Sequence, residues 1–436
     1  MRKLALACAP LALALLAGTA HASTLTVAGG GWSWFGDPRA IAIGHDVYVG
    51  WITKEGNVEV GRIALDSGAM SQARLHDTLP TDDHSNPSLT TMPDGRLVAF
   101  YSPHSGRLQK HTKMWFRISK KPGGVNAWGA ERNIPVNSPG RLGYTYPNPV
   151  WMGTRLYMFW RGGNWQPTFS VTSDLVHWSH ARTLLQGPRG QRPYVKYDVY
   201  GDSIRFAYTG AHPGSRRTSL YFGQLKDWAV RRADGSRITA SNRVPFDYRR
   251  GERIYSWQAD GKAWVWDIAH DPEGHPIIVY ATVKNPNLHS YRYARWTGRH
   301  WVDRKLVDAG PHIDQDPSYS AGITIDHWNS NVVYLSLMVG GRYEIERWQT
   351  ADQGKSFTRT PVTQDSTRDN LRPVVPRGIS GEKGLLWTWG SYRAYKDYSD
   401  LVVMLRAPLS PPALDRWGMR PNDTRENGPA TSGPIG

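Results

Sequence analysis

The stretch TDDHSNPSLTTMPDGRLVAFYSPH, residues 81–104, predicts a β-hairpin. Short aliphatic and aromatic runs flank Pro93-Asp94-Gly95, a pattern typical of two strands joined by a turn, with the second strand over Leu97 to Tyr101. Because such strands are antiparallel, the residues before the first and after the second lie at the same end. We therefore expect His84 and His104 to lie close together at one edge of a sheet.

The same arrangement of a short strand, a Gly- or Asp-containing turn and a bulky second strand recurs seven times along the chain. The second strands begin at Val47, Leu97, Leu156, Ile204, Ile277, Val332 and Leu385. The spacing is roughly 50 to 70 residues, and most copies continue with a third strand and an aromatic-bearing fourth. The sequence therefore predicts an all-β fold, a seven-bladed β-propeller of four-stranded antiparallel blades. A row of separate β domains is the main alternative, but no linker interrupts residues 25–408.

Two short motifs and one aromatic pair are interpreted as structural. The segment ADQGKSF (351–357) resembles the Asp box turn found in many propellers, and SDLVHW (173–178) is a looser version. Because such boxes are turns, Asp352 and Asp174 are not catalytic candidates. Trp32 and Trp34 are expected to fill the core rather than to offer a platform for a sugar ring.

The two ends of the chain differ from the repeat region. Residues 1–22 combine a basic start, an apolar run over 4–16 and the small-residue site Ala20-His21-Ala22, which predicts a secretory signal peptide cleaved after Ala22. We expect residues 23–408 to form a catalytic propeller and residues 409–436, rich in Pro, Gly and Asn, to form a flexible tail. We expect a secreted or periplasmic protein in which no other segment spans a membrane.

The chain is strongly basic and its mature part lacks cysteine. Lysine and arginine number 53 against 37 acidic residues, and Cys8, the only cysteine, lies in the predicted signal peptide. A field of this sign favours an anionic partner, and export favours an acidic polysaccharide over nucleic acid. The alternative is that the charge only maintains solubility. Without disulfides, a large core must stabilise the domain. We expect a monomer.

In a propeller, the loops before each first strand and after each second strand open on one face, around the axis. Blades two to four carry polar residues at both positions, and we expect these residues to converge on one site. They are Asp82, Asp83, His84, Ser85, Asn86, Tyr144, Thr145, Tyr146, Asn148, Arg192, Tyr194, Lys196 and Tyr197 before the first strands, and His104, Arg161 and His212 after the second strands.

Histidine, tyrosine and arginine suit proton abstraction beside a carboxylate. In β-elimination at a uronate, an Arg or protonated His neutralises the carboxylate, and a Tyr or His serves as base, acid or both. A glycoside hydrolase instead needs two carboxylates flanking the bond, and Asp82 and Asp83 are better interpreted as groups that orient His84. A sialidase-like hydrolase and a non-catalytic carbohydrate-binding propeller are the alternative functions.

Several of these residues also have simpler explanations. The alternatives are that Arg161 pairs with an acid, that Tyr146 packs a blade edge, that His212 stiffens a loop and that the charge of Lys196 is only solvated.

The sequence resembles the seven-bladed propeller polysaccharide lyases, typified by ulvan lyases and by the L-rhamnosyl-glucuronate lyases that act on gum arabic. The segments that carry the resemblance are WSWFGDPRA (32–40), DDHSNP (82–87), SPHSG (102–106), YTYPNP (144–149), FWRGGN (159–164), RPYVKY (192–197), WVWDIAHDPEGHPIIVY (264–280), HSYRYARWTGRHWVD (289–303) and NLRPVVPRG (370–378). The resemblance implies a secreted lyase acting on a uronic-acid-containing polymer, with rhamnose and glucuronate as the expected sugars.

The resemblance also implies residue roles. In the ulvan-lyase branch a tyrosine is the acid and base, an arginine neutralises the uronate and two histidines assist, which corresponds to Tyr146, Arg161, His84 and His104. In the other branch a histidine at the position of His104 acts as both base and acid, so the choice of base stays open. The expected substrate-binding residues are Asn86, Tyr194, Lys196, Tyr197 and His212.

The resemblance implies no cofactor for the chemistry. Some relatives hold a structural metal through cysteine and histidine, and the lack of cysteine after residue 22 means that such a site is lost or rebuilt here. A structural calcium ion bound by oxygen ligands is compatible with the composition.

Overall fold

Seven antiparallel sheets of four main strands each build the described chain into a seven-bladed β-propeller, which confirms the predicted fold class. The computed structural model describes residues 23–104, 113–141, 143–240 and 243–406. The predicted signal peptide, Cys8 and the predicted tail lie outside the described residues.

The first three blades follow one another directly after an N-terminal strand, β1 (Ser23–Gly29). Blade 1 consists of β2 (Ala40–Ile43), β3 (Asp46–Ile52), β4 (Val58–Ala64) and β5 (Met70–His76). Blade 2 consists of β6 (Ser88–Thr91), β7 (Arg96–Tyr101), β8 (Trp115–Pro122) and β9 (Arg132–Asn133). Blade 3 consists of β10 (Thr145–Met152), β11 (Arg155–Arg161), β12 (Pro167–Thr172) and β13 (Arg182–Thr183), and the short strand β14 (Leu185–Gln186) follows it.

The other blades repeat this order with one insertion. Blade 4 consists of β15 (Tyr194–Tyr200), β16 (Ser203–Thr209), β17 (Leu220–Lys226) and β18 (Ala229–Arg231), followed by β19 (Phe246–Asp247), β20 (Glu252–Tyr255) and the one-turn helix α1 (Trp257–Asp260). Blade 5 consists of β21 (Lys262–His270), β22 (Pro276–Asn285), β23 (Leu288–Trp296) and β24 (Trp301–Gly310). Blade 6 consists of β25 (Ile323–Ile325), β26 (Val332–Val339), β27 (Arg342–Gln349) and β28 (Thr358–Pro361). Blade 7 contains β29 (Asp369–Val374), the one-turn helix α2 (Gly381–Gly384), β30 (Leu386–Ala394) and β31 (Asp397–Arg406).

The insertion in blade 4 explains its longer repeat. Strand β20 adds a fifth strand beside β17, with Leu220 opposite Tyr255, and β19 pairs in parallel with β14. The next blade therefore begins later in the sequence than the regular period predicts. In the described part of the chain, no helix is long and apolar enough to cross a membrane.

The second strands are bulky because they are buried on both faces. Residues Ile277 to Ala281 of β22 are all fully buried, although successive side chains of a strand point to opposite faces of the sheet. Each sheet packs between two neighbouring blades, so its inner strands have no solvent-facing side. An uninterrupted apolar run is the pattern that such a strand requires.

Blade 7 is assembled from both ends of the described chain. Strand β1 pairs antiparallel with β31, with Leu25 opposite Met404, and so supplies the fourth strand of that sheet. Leu25 and Val27 pack against the buried cluster that contains Val402 and Met404. The ring is therefore closed by backbone hydrogen bonds between its first and last strands.

The segment over residues 32–37 lies across the centre of the ring. It contacts each of blades 2 to 7, through Asp83, Asn148, Lys196, Val265, Tyr319 and Arg372. We call this segment the axial plug. The Trp34 ring stacks on Trp266 with centroids 4.0 Å apart, and the Trp32 Nε1–H donates to the Arg372 carbonyl. The prediction that both tryptophans belong to the core is confirmed.

The two Asp boxes form turns between the third and fourth strands of their blades. The Asp352 carboxylate accepts hydrogen bonds from the Ser356 amide and hydroxyl, at 2.8 and 2.6 Å. The Asp174 carboxylate accepts from the amides of Val176 and His177, both at 2.8 Å. Both carboxylates close their own turns, as predicted.

Candidate active site

Two stacked histidines share one carboxylate at the edge of blade 2. Asp82 precedes a 3-10 turn, Asp83–Ser85, and its Oδ1 accepts from the His84 amide at 3.0 Å and lies 2.7 Å from His84 Nδ1. Its Oδ2 lies 2.9 Å from Nδ1 of His104, which follows β7. The two rings stack with centroids 4.3 Å apart, so the expected proximity of His84 and His104 is confirmed.

The second carboxylate also faces His84. Asp83 is fully buried, and its Oδ1 lies 2.9 Å from His84 Nδ1. Its Oδ2 pairs with the Arg372 guanidinium and accepts from the Tyr392 hydroxyl at 2.7 Å. Asp82 and Asp83 therefore hold and orient histidines instead of flanking an open cleft, which agrees with the interpretation made from the sequence.

This arrangement separates the pKa values of the two histidines. Burial disfavours the charge on His84, but the carboxylates of Asp83 and Asp82 outweigh it and raise its pKa to about 9. Burial lowers the pKa of His104 to about 4. The Asp82 carboxylate acts in the opposite direction, and the positive charge on His84 lowers this pKa further. Near neutral pH, His84 is an imidazolium and His104 is neutral.

The hydrogen-bond partners fix the tautomer of His104. A carboxylate only accepts hydrogen bonds, so His104 Nδ1 carries the proton that points at Asp82. The Nε2 of the neutral ring then keeps its lone pair. About 18% of the His104 side chain is exposed, against 3% for His84. The more accessible ring is thus the one with a basic nitrogen.

Arg161 is a buried cation whose guanidinium lies against aromatic rings. It ends β11, and its guanidinium carbon lies 4.6 Å from the Tyr146 ring centroid. Its Nη1 donates to the Tyr194 hydroxyl at 3.4 Å, and its buried Nε has no hydrogen-bond partner among the described residues. No described carboxylate lies within ion-pair distance of Arg161, which is only 4% exposed. The alternative that Arg161 pairs with an acid is therefore wrong for the described part of the chain.

Tyr146 occupies an irregular position within a strand. The pairing of β10 with β11 shifts register between Thr145 and Asn148, and Tyr146 in between has a φ of 60°. This left-handed backbone is rare for a bulky residue and turns the ring toward the axis, where it lies 5.6 Å from His84 and 6.2 Å from His104. Burial raises the pKa of Tyr146 well above its usual value, so the phenol keeps its proton.

Two of the five expected substrate-binding residues reach this site. Tyr194 lies 6.0 Å from Tyr146 between ring centroids, and His212 lies 5.5 Å from Tyr194. Burial lowers the pKa of His212 to about 3, so this ring is neutral. Tyr194 lines the same cavity as Arg161, and His212 lies behind it, next to Tyr194.

Lys196 and Asn86 are buried and engaged within the protein, so the expectation that these two residues bind substrate is corrected. Lys196 is fully buried, and its ammonium donates to the Asp37 carboxylate and, at 2.6 Å, to the Trp34 carbonyl. Tyr197 stacks on Phe159 with centroids 4.1 Å apart, and it also lines a cavity together with Tyr146 and Arg161, so its role in substrate binding stays a prediction.

Asn86 is also a structural residue. Its side chain accepts from the Ser33 amide at 3.1 Å and donates to the Pro87 carbonyl at 3.2 Å, which ties the axial plug to blade 2. With 1% of its surface exposed, it has no face for a ligand.

Two tyrosines of blades 6 and 7 complete the site and were missed from the sequence. The Tyr319 hydroxyl lies 3.2 Å from His84 Nε2, and the Tyr395 ring lies 4.9 Å from His84 and 5.8 Å from His104. Tyr319 lies before β25, the first strand of blade 6, and Tyr395 lies after β30, the second strand of blade 7. These are the same two loop positions that the sequence analysis considered in blades two to four. Applying the same rule to all seven blades would have found them.

The described residues offer two groups of side chains with metal-ligand spacing. They are Asp82, His84 and His104, and Asp271, Glu273 and His275. In the first group, Asp82 already accepts from both histidines, and in the second, Asp271 pairs with Arg295 and His275. Neither group resembles the oxygen-rich cage that calcium prefers. The structural calcium ion stays a prediction.

Comparisons with known proteins agree with this architecture. A sequence profile described as a BNR repeat-containing family member matches residues 46–309. The structure is similar to that of an ulvan lyase, described as a new family of polysaccharide lyase, PL25, with a TM-score of 0.68, 15% identity and coverage of 88% of this chain and 95% of that chain.

Two further solved structures are similar. The same type of ulvan lyase bound to -[GlcA(1-4)Rha3S]- has a TM-score of 0.68, 15% identity and coverage of 88% and 94% of the two chains. Polysaccharide lyase Uly1 has a TM-score of 0.54, 14% identity and coverage of 84% of this chain and 89% of that chain. The sequence matched no curated protein. At these identities the similarities concern the fold.

Proposed function

The chain belongs to the BNR repeat-containing family, and we propose that it is a polysaccharide lyase that cleaves an anionic, uronic-acid-containing polymer by β-elimination. The observation that carries the proposal is the buried guanidinium of Arg161, which has no described carboxylate partner and lies beside Tyr146. An unpaired buried cation is unfavourable unless a ligand supplies the opposite charge. A uronate carboxylate has the charge and the planar geometry that a guanidinium binds.

The proposed chemistry begins at the uronate carboxylate. Arg161 neutralises it, which makes the proton on carbon 5 acidic enough to be removed. His104 Nε2 takes this proton, because its ring is neutral and its Nδ1–H is held by Asp82. The electrons of the broken C5–H bond form the C4=C5 double bond, and the bond from carbon 4 to the leaving oxygen breaks.

The leaving oxygen needs a proton, and Tyr146 is the proposed donor. Its phenol stays protonated because burial raises its pKa, and its ring lies 4.6 Å from the Arg161 guanidinium and 6.2 Å from the His104 ring. The positive charge that His84 carries near neutral pH, stabilised by Asp82 and Asp83, adds positive potential beside the developing negative charge. The step consumes no water and needs no redox cofactor.

We further propose that the substrate is a rhamnose-glucuronate polymer outside the cytoplasm. A similar solved structure binds -[GlcA(1-4)Rha3S]-, an anionic disaccharide unit. The formal net charge of +16 attracts such a polymer, and the predicted signal peptide would export the enzyme to it.

A glycoside hydrolase is the less favoured alternative. It requires two carboxyl groups on either side of the scissile bond. Asp82 and Asp83 are instead both engaged with His84, and Asp83 is also paired with Arg372. Carbohydrate binding without cleavage is the third possibility, and it predicts a complex with no product.

The proposal is tested with purified protein on a panel of anionic polysaccharides, including ulvan and gum arabic, followed by the ultraviolet absorbance of the unsaturated product. We expect absorbance to rise on at least one polymer. His104→Ala, Tyr146→Phe and Arg161→Gln should each abolish the rise. Retention of activity in all three would contradict the assigned site, and an absence of product on every polymer would contradict the substrate class.

Matched variants control for nonspecific damage. His177→Ala removes a highly exposed histidine of an Asp box, and Tyr200→Phe removes a hydroxyl on a half-exposed tyrosine outside the site. Both should keep full activity.

A further inference from the structure

A layer of buried charges lies against the axial plug. Lys196 touches the plug through the Trp34 carbonyl, and its ammonium pairs with Asp37. Asp267 lies toward the end of β21, and Arg377 follows β29, so these two residues lie away from the loops that form the candidate active site. Arg39, just before β2, is the fifth member.

The two carboxylates of this layer are already saturated with hydrogen bonds. Asp37 Oδ1 accepts from the amide and Nε of Arg39 at 3.2 and 3.3 Å, and Oδ2 accepts from Lys196. Asp267 Oδ2 accepts from the Thr324 hydroxyl at 2.8 Å and the Ile325 amide at 3.0 Å.

The cations are less well satisfied. Arg39 has a side chain that is 4% exposed, yet its Nη1 has no hydrogen-bond partner among the described residues. The nearest carboxylate oxygens to Arg377 belong to Asp267 at 3.7 Å and Asp37 at 3.9 Å, too far for hydrogen bonds. Three cations thus face two carboxylates, which leaves one excess positive charge at the partly exposed Arg377, whose side chain is 26% exposed.

A cavity opens where the unsatisfied groups meet. It is lined by Asp37, Pro38, Arg39, Ala40, Asp267, Thr324, His327, Val374, Val375 and Arg377. It holds about 200 Å³ that no protein atom fills, part of it open to solvent. The charged groups in this wall are the two arginines, the two aspartates and His327, whose Nε2 lies 3.1 Å from both Asp267 oxygens.

We propose that this cavity binds one monovalent inorganic anion of the size of chloride, between Arg39 and Arg377. One such ion would balance the excess positive charge and accept a hydrogen bond from the orphaned Nη1 of Arg39. A water molecule could fill the space, but it would leave the charge uncompensated.

Thermal unfolding of the full chain tests the proposal. At constant sodium concentration and ionic strength, replacing gluconate by chloride should raise Tm in a saturable way, by about 2 °C when chloride is well above its Kd. Gluconate is too large for the cavity. An equal Tm in the two salts would overturn the proposal.

Two variants separate this site from general salt effects. Arg377→Gln removes the excess charge and should abolish the response to chloride. Arg299→Gln removes an exposed arginine of the β23–β24 hairpin and should keep it. The same response in both variants would contradict the assignment.

Diffraction from crystals soaked in bromide gives a readout that does not depend on stability. We expect an anomalous peak between Arg39 and Arg377. Bromide peaks at surface positions only, with none in this cavity, would overturn the proposal.

Discussion

Arg372 and Arg161 are both buried, but only Arg372 has a carboxylate partner among the described residues. Arg372 is paired with Asp83 and bonded to the Tyr392 hydroxyl, so its burial is compensated within the protein. Arg161 is almost as buried, but its guanidinium lies against the rings of Tyr146 and Tyr194 and has no ion-pair partner among the described residues. The uncompensated charge is best explained by an anionic ligand.

Replacing Arg161 by lysine keeps the charge but loses the planar guanidinium. We expect kcat/KM to fall by about 100-fold to 1,000-fold, the range seen when one stabilising donor is removed from a transition state. Arg205→Lys is the matched control, because Arg205 is also buried against a tyrosine, Tyr200, but lies outside the site. It should change kcat/KM by less than about twofold. Equal losses in the two variants would assign the effect to folding.

The histidine pair predicts an unusually wide pH range of activity. His104 must be neutral to accept a proton, so kcat/KM should rise as pH increases through its pKa of about 4. The charge on His84 assists the reaction, so kcat/KM should fall as pH increases through its pKa of about 9. An acid limb at the ordinary histidine value, near 6.5, would show that His104 is not the base as we describe it.

The sequence predicted which loop residues lie close together better than it predicted the direction in which each side chain points. His84, His104, Tyr146 and Arg161 converge because the repeat places them at equivalent loops of adjacent blades. Lys196 was misassigned because it points from β15 toward the axial plug, below the site, and no local pattern reveals a partner as distant as Asp37.

At the scale of elements, the axial plug connects the site to the rest of the ring. The Phe35 ring packs against Tyr146 and Tyr194, at 5.5 and 4.6 Å between centroids, and so forms the floor of the site. The neighbouring Trp34 stacks on Trp266 and donates to the Val265 carbonyl. Changes in the plug should therefore affect the stability of the fold and the shape of the site together.

Trp34→Ala should lower the free energy of unfolding by about 3–5 kcal/mol, because it empties a buried cavity and removes a hydrogen bond. The matched control is Trp328→Ala, since Trp328 is 57% exposed. This variant should lie within about 0.5 kcal/mol of the wild type. Denaturant unfolding measures both values. A small effect of Trp34→Ala would contradict the role assigned to the plug.

Strands could be predicted where their burial requires a recognisable pattern of apolar residues. The second strands were found because both faces are covered, and the hairpin over β6 and β7 because its turn is flanked by apolar runs. The position of the axial plug was not predicted from the sequence. Residues 32–37 have no periodic pattern, and their position depends on contacts with six blades. The sequence likewise predicted the segment around Tyr146 as a loop. Pro147 has no backbone N–H to donate, and the pairing of β10 with β11 is irregular between Thr145 and Asn148.

At the scale of the whole molecule, seven blades around one axis explain why residues far apart in sequence form one site. The ring is closed by β1 and β31, which holds blade 7, and with it Tyr395, beside blade 2. The repeat was visible in the sequence, but this closure was not, because β1 resembles any other exposed strand.

The central claim is that this ring performs an elimination and not a hydrolysis, and mass spectrometry of the products tests it most directly. The polysaccharide that gives the ultraviolet signal is digested in water labelled with heavy oxygen. The account predicts products that are lighter than hydrolysis products by one water molecule and carry no label. Saturated products that carry the heavy oxygen at the cleaved bond would contradict it.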